Sequence, residues 1–385
     1  MNEKQWRAAK NILCVRLDNL GDVLMTTPAM RALKLSEPDR RIVLLASHAG
    51  AAAARFIPEV DEVIEYQSPW MKSTKRHDAT LDHAIVRALR RHKFDAAVIF
   101  TVYSQSPLPA ALLCYFAEIP LRLAHCRENP YQLLSDWIAD PEPENVVRHE
   151  VRRQLDLVAA IGSVTVDERL SFAVSFADLT WARERLQAIG VDITRRWFLL
   201  HPGASAASRC YPPELWAEAA RQITIEADCP VVLTGSANEA PLVENIRCLI
   251  GTRAHSLVGQ LELGQFAAVV SLAPLLLCGN TGPVHVAAAV GTPVVDLYAL
   301  TNPQHTPWQV PNRVLFHDVP CRFCYKSVCP KGHNDCLRKI TPAQIVEASM
   351  WLLDQGRSRS GDGREFVLPY KASVQVKVDI HSLSR

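Results

Sequence analysis

Apolar residues recur along this chain in two rhythms, short unbroken runs and longer stretches with helical spacing. The run 12–17 predicts a buried strand, and 22–35 repeats apolar positions as a helix does. A strand at 41–46, an alanine-rich helix at 49–56 and a strand near 62–66 continue the pattern. An amphipathic helix at 81–92 and a strand at 95–100 follow. The second half repeats the plan, with strands at 197–201, 230–234, 275–278 and 294–298. Its helices are expected at 214–227, 239–250, 266–273 and 285–290. Strands that alternate with helices imply a parallel sheet covered on both faces, an α/β fold.

At 385 residues the chain exceeds what one core usually serves. Two α/β domains are therefore expected, 1–175 and 176–355, with a polar tail at 356–385. The junction is expected within 171–179, ahead of a helix at 181–190. Two such halves would face a common cleft with the carboxyl ends of their strands. In the tail, 356–364 is polar, and 366–380 alternates Val374, Val376, Val378 and Ile380 like an edge strand.

Composition narrows the function classes. Hydrophobic residues are 48% and charged residues 21%, ordinary for a water-soluble globular protein. A net charge of +2 gives no footing for nucleic-acid binding, which shows a strong basic bias. The polar start MNEKQWRAAK predicts no secretory leader, and runs such as 266–278 are too short to span a bilayer. A cytoplasmic protein is expected.

Three segments carry candidate chemistry. In VRLDNLGDVLMTTPAMRALK, Asp22 follows a glycine at the end of the first strand. Asp caps helices well, and it can also serve as a proton acceptor; the segment alone allows both. In HPGASAASRCYPPELW, Arg209 is the only cation of a loop between strand and helix, where its planar fork suits a diphosphate. In LTGSANE, Glu239 opens a helix, where a carboxylate can accept from a ribose diol or simply favour the helix start. The run CGNTGPVHVAAAVGTPVV then brings Gly279, Asn280, Thr281 and Gly282 to a helix N-terminus, a natural anion site. No GxGxxG, Walker A or Asp-x-Asp pattern occurs.

Four of the eleven cysteines, Cys321, Cys324, Cys329 and Cys336, fall in CRFCYKSVCPKGHNDC. The spacing suits four thiolates on one ion, with structural zinc the simplest guest. An iron–sulfur cluster, disulfides or free thiols are the alternatives.

Taken in order, RLDNLGDVLMTTPAMRALK, HPGASAASRCYPPELW, LTGSANE with VGQLELGQFAAVV, and GNTGPVHVAAAVGTPVV resemble glycosyltransferase family 9, the lipopolysaccharide heptosyltransferases and their relatives. The resemblance covers about residues 10–355 and implies the GT-B architecture, two Rossmann-like domains. It implies an acceptor bound by the N-terminal domain and a sugar nucleotide by the C-terminal one. Asp22 matches the family's general base, and Arg209 stands where the family usually has lysine. Glu239 matches the residue at the nucleotide ribose, and Thr281, Gly282 and His285 match the loop beside the diphosphate and sugar. The family commonly has aspartate where this chain has Asn280, so the donor is open between ADP-heptose and another nucleoside-diphosphate sugar.

The implied reaction is inverting transfer of heptose or a related sugar to a lipopolysaccharide-core or other cell-surface glycan. It requires no cofactor. A lipid-linked acceptor would bring the protein to the cytoplasmic face of the inner membrane, where Lys72, Lys75, Arg76, Arg87, Arg90 and Arg91 could meet anionic groups. Two other readings remain: a sugar-nucleotide-binding protein with degenerate catalysis, and a sugar-nucleotide epimerase on the same fold.

Overall fold

In a computed structural model, which describes residues 3–72, 77–357 and 375–376, the chain divides into two compact units between Ser171 and Phe172. The first unit holds strands β1 (Asn11–Arg16), β2 (Arg41–Ala46), β3 (Glu62–Glu65), β4 (Ala96–Ile99), β5 (Leu121–Cys126) and β6 (Asp136–Ala139). All pair in parallel, in the order β3-β2-β1-β4-β5-β6. β1 is central and apolar through Val15, as a strand covered on both faces must be. One face packs Leu13, Val15, Val43, Leu45, Ile85, Leu89 and Ile99 into a single core.

The second unit repeats this order with β7 (Phe198–His201), β8 (Val231–Leu233), β9 (Ala254–Ser256), β10 (Leu276–Gly279), β11 (Val294–Leu297) and β12 (Asn312–Leu315). Its parallel sheet runs β12-β11-β10-β7-β8-β9. Phe198, Leu200, Leu233, Leu277, Val295 and Leu297 pack there against Trp216, Ile223 and Ile246 of the covering helices. A side chain the size of Trp216, only 1% exposed, contributes about 1.5–3 kcal/mol by its burial.

In each unit the first strand is flanked by its second and fourth, so the chain leaves it in opposite directions. Such a switch point opens a crevice at the carboxyl ends of the strands. The loop after β1 lies at one switch point. The loops after β7 and β10, which are paired neighbours, lie at the other.

Several predicted boundaries move. The first helix is Leu20–Ser36, so Asn19 is its cap and Asp22 lies inside the first turn. Asp22 still caps, because its Oδ2 accepts from the Asn19 backbone N–H at 3.2 Å. The helix expected at 181–190 is Phe176–Ala188, capped by Ser175, whose Oγ accepts from the Asp178 N–H at 3.0 Å. Strands β5, β6, β9 and β12 and the helices Leu108–Phe116 and Glu150–Ala159 have no counterpart in the predicted pattern. Of the predicted edge strand, Gln375–Val376 form β13, parallel to β3; the rest of that segment lies outside the described residues. Lys75 and Arg76 lie outside them too. Among the described residues, no helix is long and apolar enough to cross a membrane.

Candidate functional site

The first unit's switch point gathers charge. Arg16 ends β1 fully buried, and its guanidinium faces three carboxylates. Nε lies 2.9 Å from Asp18, Nη2 3.3 Å from Asp22 and Nη1 2.7 Å from Glu150. Glu150 comes from helix Glu150–Ala159, whose buried face also carries Arg153 and Gln154. Asp22 thus both caps its helix and stands in this ionic group. Burial, and next the charges of Asp22 and Glu150, push the Asp18 carboxyl up to about 6, while Arg16 and a hydrogen bond from Gln105 oppose the rise.

Gln105, 2.6 Å from the Asp18 carboxylate, also lines a cavity of about 240 Å³ at the ends of β4, β5 and β6. Ser106, His125, Arg127, Glu128 and Asp140 complete its polar wall. His125 is 3% exposed and bonds the Arg153 carbonyl through Nε2 at 3.1 Å. That bond sets the tautomer, leaving Nδ1 as a bare acceptor with no partner among the described residues. Burial, followed by the Arg153 charge, lowers the His125 pKa to about 4, so the ring is neutral at pH 7.

The second unit brings most of the expected donor residues to its own switch point. Arg209 closes a short turn, Ala207–Arg209, and its Nη1 donates to the Asn280 carbonyl at 3.2 Å. Two stations far apart in sequence thus meet. Gly279 permits the approach: a Cβ there would lie 3.3 Å from the Arg209 carbonyl oxygen. Thr281 caps helix Gly282–Val290 by position, but its side chain makes no cap bond, and Pro283 follows at the helix start. The helix therefore presents its first turn with no side chain engaging it. His285, in the same helix, is buried, its ring 6.5 Å from that of His305.

Asn280 anchors the loop. It is 4% exposed, and its amide is engaged with one residue's backbone. Oδ1 accepts from the Ala299 N–H at 3.2 Å and Nδ2 donates to the Ala299 carbonyl at 3.4 Å. An amide can do both; an ionised carboxylate can only accept. This pair fixes the loop on the strand beside it.

Glu239 closes a capping box, its Oε2 accepting from the Ser236 N–H at 2.7 Å and the Ser236 hydroxyl at 2.8 Å. The carboxylate lies against Gly203: a Cβ there would stand 1.9 Å from Oε1. The HPG glycine thus keeps open the place that Glu239 occupies. Nearby His201 is held neutral first by burial, with Glu239 opposing, and its Nδ1 lies 3.1 Å from the Thr234 hydroxyl.

One buried acid escaped the sequence reading. Asp296, in β11 opposite Cys278, is wholly buried, and neither carboxyl oxygen has a partner among the described residues. Burial drives it well above the usual carboxylate range, against the pull of Arg209. A lone Asp inside PVVDLYAL was its only signal.

The four cysteines are brought near one another, close enough for Cys321, Cys324 and Cys329 all to act on the Cys336 thiol. Among the described residues, no group of three or more His, Cys, Asp or Glu side chains is placed to hold a metal ion, and all eleven cysteines are free. The Cys329 thiol instead turns into its own loop, where the N–H groups of residues 331–334 surround it and lower its pKa against its burial. Cys321 has its sulfur 3.7 Å from His333 Nε2.

The profile of Glycosyltransferase family 9 (heptosyltransferase) matches residues 83–334. The chain belongs to this family. It is a glycosyltransferase, and its two Rossmann-like units are those of the GT-B architecture. Lipopolysaccharide heptosyltransferase 2 of Escherichia coli K12 is 25% identical over 360 residues, covering 89% of this chain and 99% of that protein. Among solved structures, a family 9 glycosyl transferase from Veillonella parvula superposes with a TM-score of 0.76 at 21% identity, covering 90% of this chain and 98% of that one. The E. coli ADP-heptose LPS heptosyltransferase II does so with a TM-score of 0.70 at 23% identity, covering 90% and 99%. The family match begins within the helix Ala79–His92 and ends just short of Cys336, and so includes Arg209, Glu239 and the 279–285 loop.

Proposed function

We propose that the protein transfers a heptose or related sugar, with inversion, from a nucleoside-diphosphate sugar to a lipopolysaccharide-core or other cell-surface glycan. The observation that carries this reading is the meeting of Arg209 with the 279–282 loop at the start of helix Gly282–Val290. A guanidinium and an uncapped helix start at one point suit a diphosphate. Glu239 would accept from the ribose, and His285 would lie toward the sugar. The names of the relatives, ADP-heptose and lipopolysaccharide heptosyltransferases, support an ADP-heptose type of donor. An acceptor of that kind would bring the protein to the cytoplasmic face of the inner membrane as a peripheral visitor.

In the transfer step, the acceptor hydroxyl loses its proton to the Asp22 carboxylate as its oxygen bonds the anomeric carbon. The bond from that carbon to the diphosphate breaks, and the electron pair leaves with the nucleotide. Arg209 and the helix start would stabilise the charge growing there. We assign the acceptor's side of the reaction to the first unit, whose cavity offers Arg127 to an anionic group.

The test is Asp22→Asn, assayed with the donor that best stabilises the protein in a panel of sugar nucleotides. Transfer is expected to vanish while calorimetric donor affinity stays near wild type. Unchanged turnover would remove Asp22 as the base.

A further inference from the structure

Asp22 does not stand alone. One buried cation, Arg16, is shared by three carboxylates, each from a different stretch of chain. Asp18 lies just past β1, Asp22 in the first turn of helix Leu20–Ser36, and Glu150 at the start of helix Glu150–Ala159. The Asp18 side chain is 9% exposed and that of Glu150 fully buried. Gln154 donates to Glu150 at 2.7 Å, and Gln105 donates to Asp18 at 2.6 Å. Three carboxylates crowded around one guanidinium repel one another in a poorly solvated place, which favours holding a proton there.

We propose that Asp18 is a positioning residue for sugar transfer, whose ionisation decides how much of the Arg16 charge falls on Asp22. The inference rests on Asp22 being the proton acceptor. With Asp18 protonated, the guanidinium is committed to Asp22 and Glu150, and an ion-paired carboxylate is a weaker base. With Asp18 ionised, Arg16 divides its charge three ways and Asp22 accepts the hydroxyl proton more readily.

Asp18 is the suitable group to switch, because its buried carboxyl titrates at about 6. The charged groups that act on it are Arg16 from its own strand and Asp22 and Glu150 from the two helices. The Gln105 amide, from the loop after β4, favours its ionised form. Since Gln105 also lines the 240 Å³ cavity, whatever occupies that cavity adjoins the residue that orients the amide on Asp18.

The experiment follows kcat against pH from 5 to 9 in wild type, Asp18→Asn, Gln105→Leu and Asp22→Asn, at saturating donor and acceptor. Wild-type kcat should rise through an ionisation near 6. In Asp18→Asn that limb should disappear and kcat at pH 8 should fall roughly tenfold with donor KM unchanged, as expected when a positioning group of the proton acceptor is lost. Gln105→Leu removes a donor that favours the ionised form, so its limb should move to higher pH. That second variant keeps the question open to test if Asp18→Asn folds poorly. A limb near 6 that survives in Asp18→Asn, or one that Gln105→Leu leaves in place or moves down, overturns the proposal. Turnover in Asp22→Asn would instead remove the base reading; an inactive Asp22→Asn beside an unshifted Asp18→Asn limb removes only the role of Asp18.

Discussion

Replacing Asp296 with valine should make the protein more stable at neutral pH. The carboxyl lies in β11, wholly buried, with neither oxygen hydrogen-bonded among the described residues. Leaving a polar group dry in this way costs about 1–3 kcal/mol, and more when the group is charged. Valine carries no polar atom, is close in size and suits a strand. A gain of at least about 2 kcal/mol is expected, which for a unit of this size raises Tm by roughly 4 °C or more.

The pH dependence makes this sharper. Burial raises the folded pKa of Asp296 above its unfolded value, with Arg209 opposing. Below the unfolded pKa of about 3.9 the carboxyl is neutral in both states and only its dry polar atoms cost anything. As pH rises above that value the unfolded chain releases the proton first, so wild type loses up to about 1.4 kcal/mol per pH unit from this group until the folded pKa is passed. The valine variant has no such proton. Its advantage in Tm should therefore widen between pH 4.5 and 7.5, and Asp296→Asn, which cannot ionise, should share the flatter profile with a smaller gain. Thermal scans of the three proteins across that range are sufficient. A valine variant no more stable than wild type at pH 7.5, or an advantage that narrows as pH rises, would show that the carboxyl is satisfied.

Two further outcomes test the donor side. Arg209→Ala should weaken donor binding and turnover together, by roughly tenfold or more in Kd for the loss of a charge-assisted contact of about 1.5–3 kcal/mol; a normal donor affinity by calorimetry would end its phosphate role. Gly203→Ala puts a Cβ 1.9 Å from Glu239 Oε1 and must displace that carboxylate, so nucleotide affinity should fall while the fold, seen by circular dichroism, persists. Wild-type affinity in that variant would show that Glu239 does not contact the ribose.

What could be read in the sequence depended on whether a residue's role was local. Strands β1 to β4 of the first unit and β7, β8, β10 and β11 of the second follow from apolar runs such as ILCV and RIVLLA, because buried parallel strands leave no polar face to confuse the pattern. β5, LRLAHC, and the helix EVRRQLDLVA were hidden for the opposite reason. Arg122 interrupts the first, and the second spends its buried face on Glu150, Arg153 and Gln154, polar residues that look like solvent-facing ones. Arg209 and the 279–282 loop were singled out separately, but only folding shows that the order of β7 beside β10 makes them touch.

The same distinction explains Asn280. As a sequence position it reads as a donor contact altered from aspartate, and substrate choice would hang on it. In the fold its amide spans both backbone groups of Ala299, a task an ionised aspartate could not complete. Acidity at this switch point is instead carried by Asp296, in the strand paired with β10, near enough to Arg209 for their charges to interact. A carboxyl kept dry at a stability cost, beside the one cation assigned to the diphosphate, is the kind of local expense that functional sites retain. Asp296 thus sets a buried carboxyl beside Arg209, while the Asn280 amide holds the loop to the neighbouring strand.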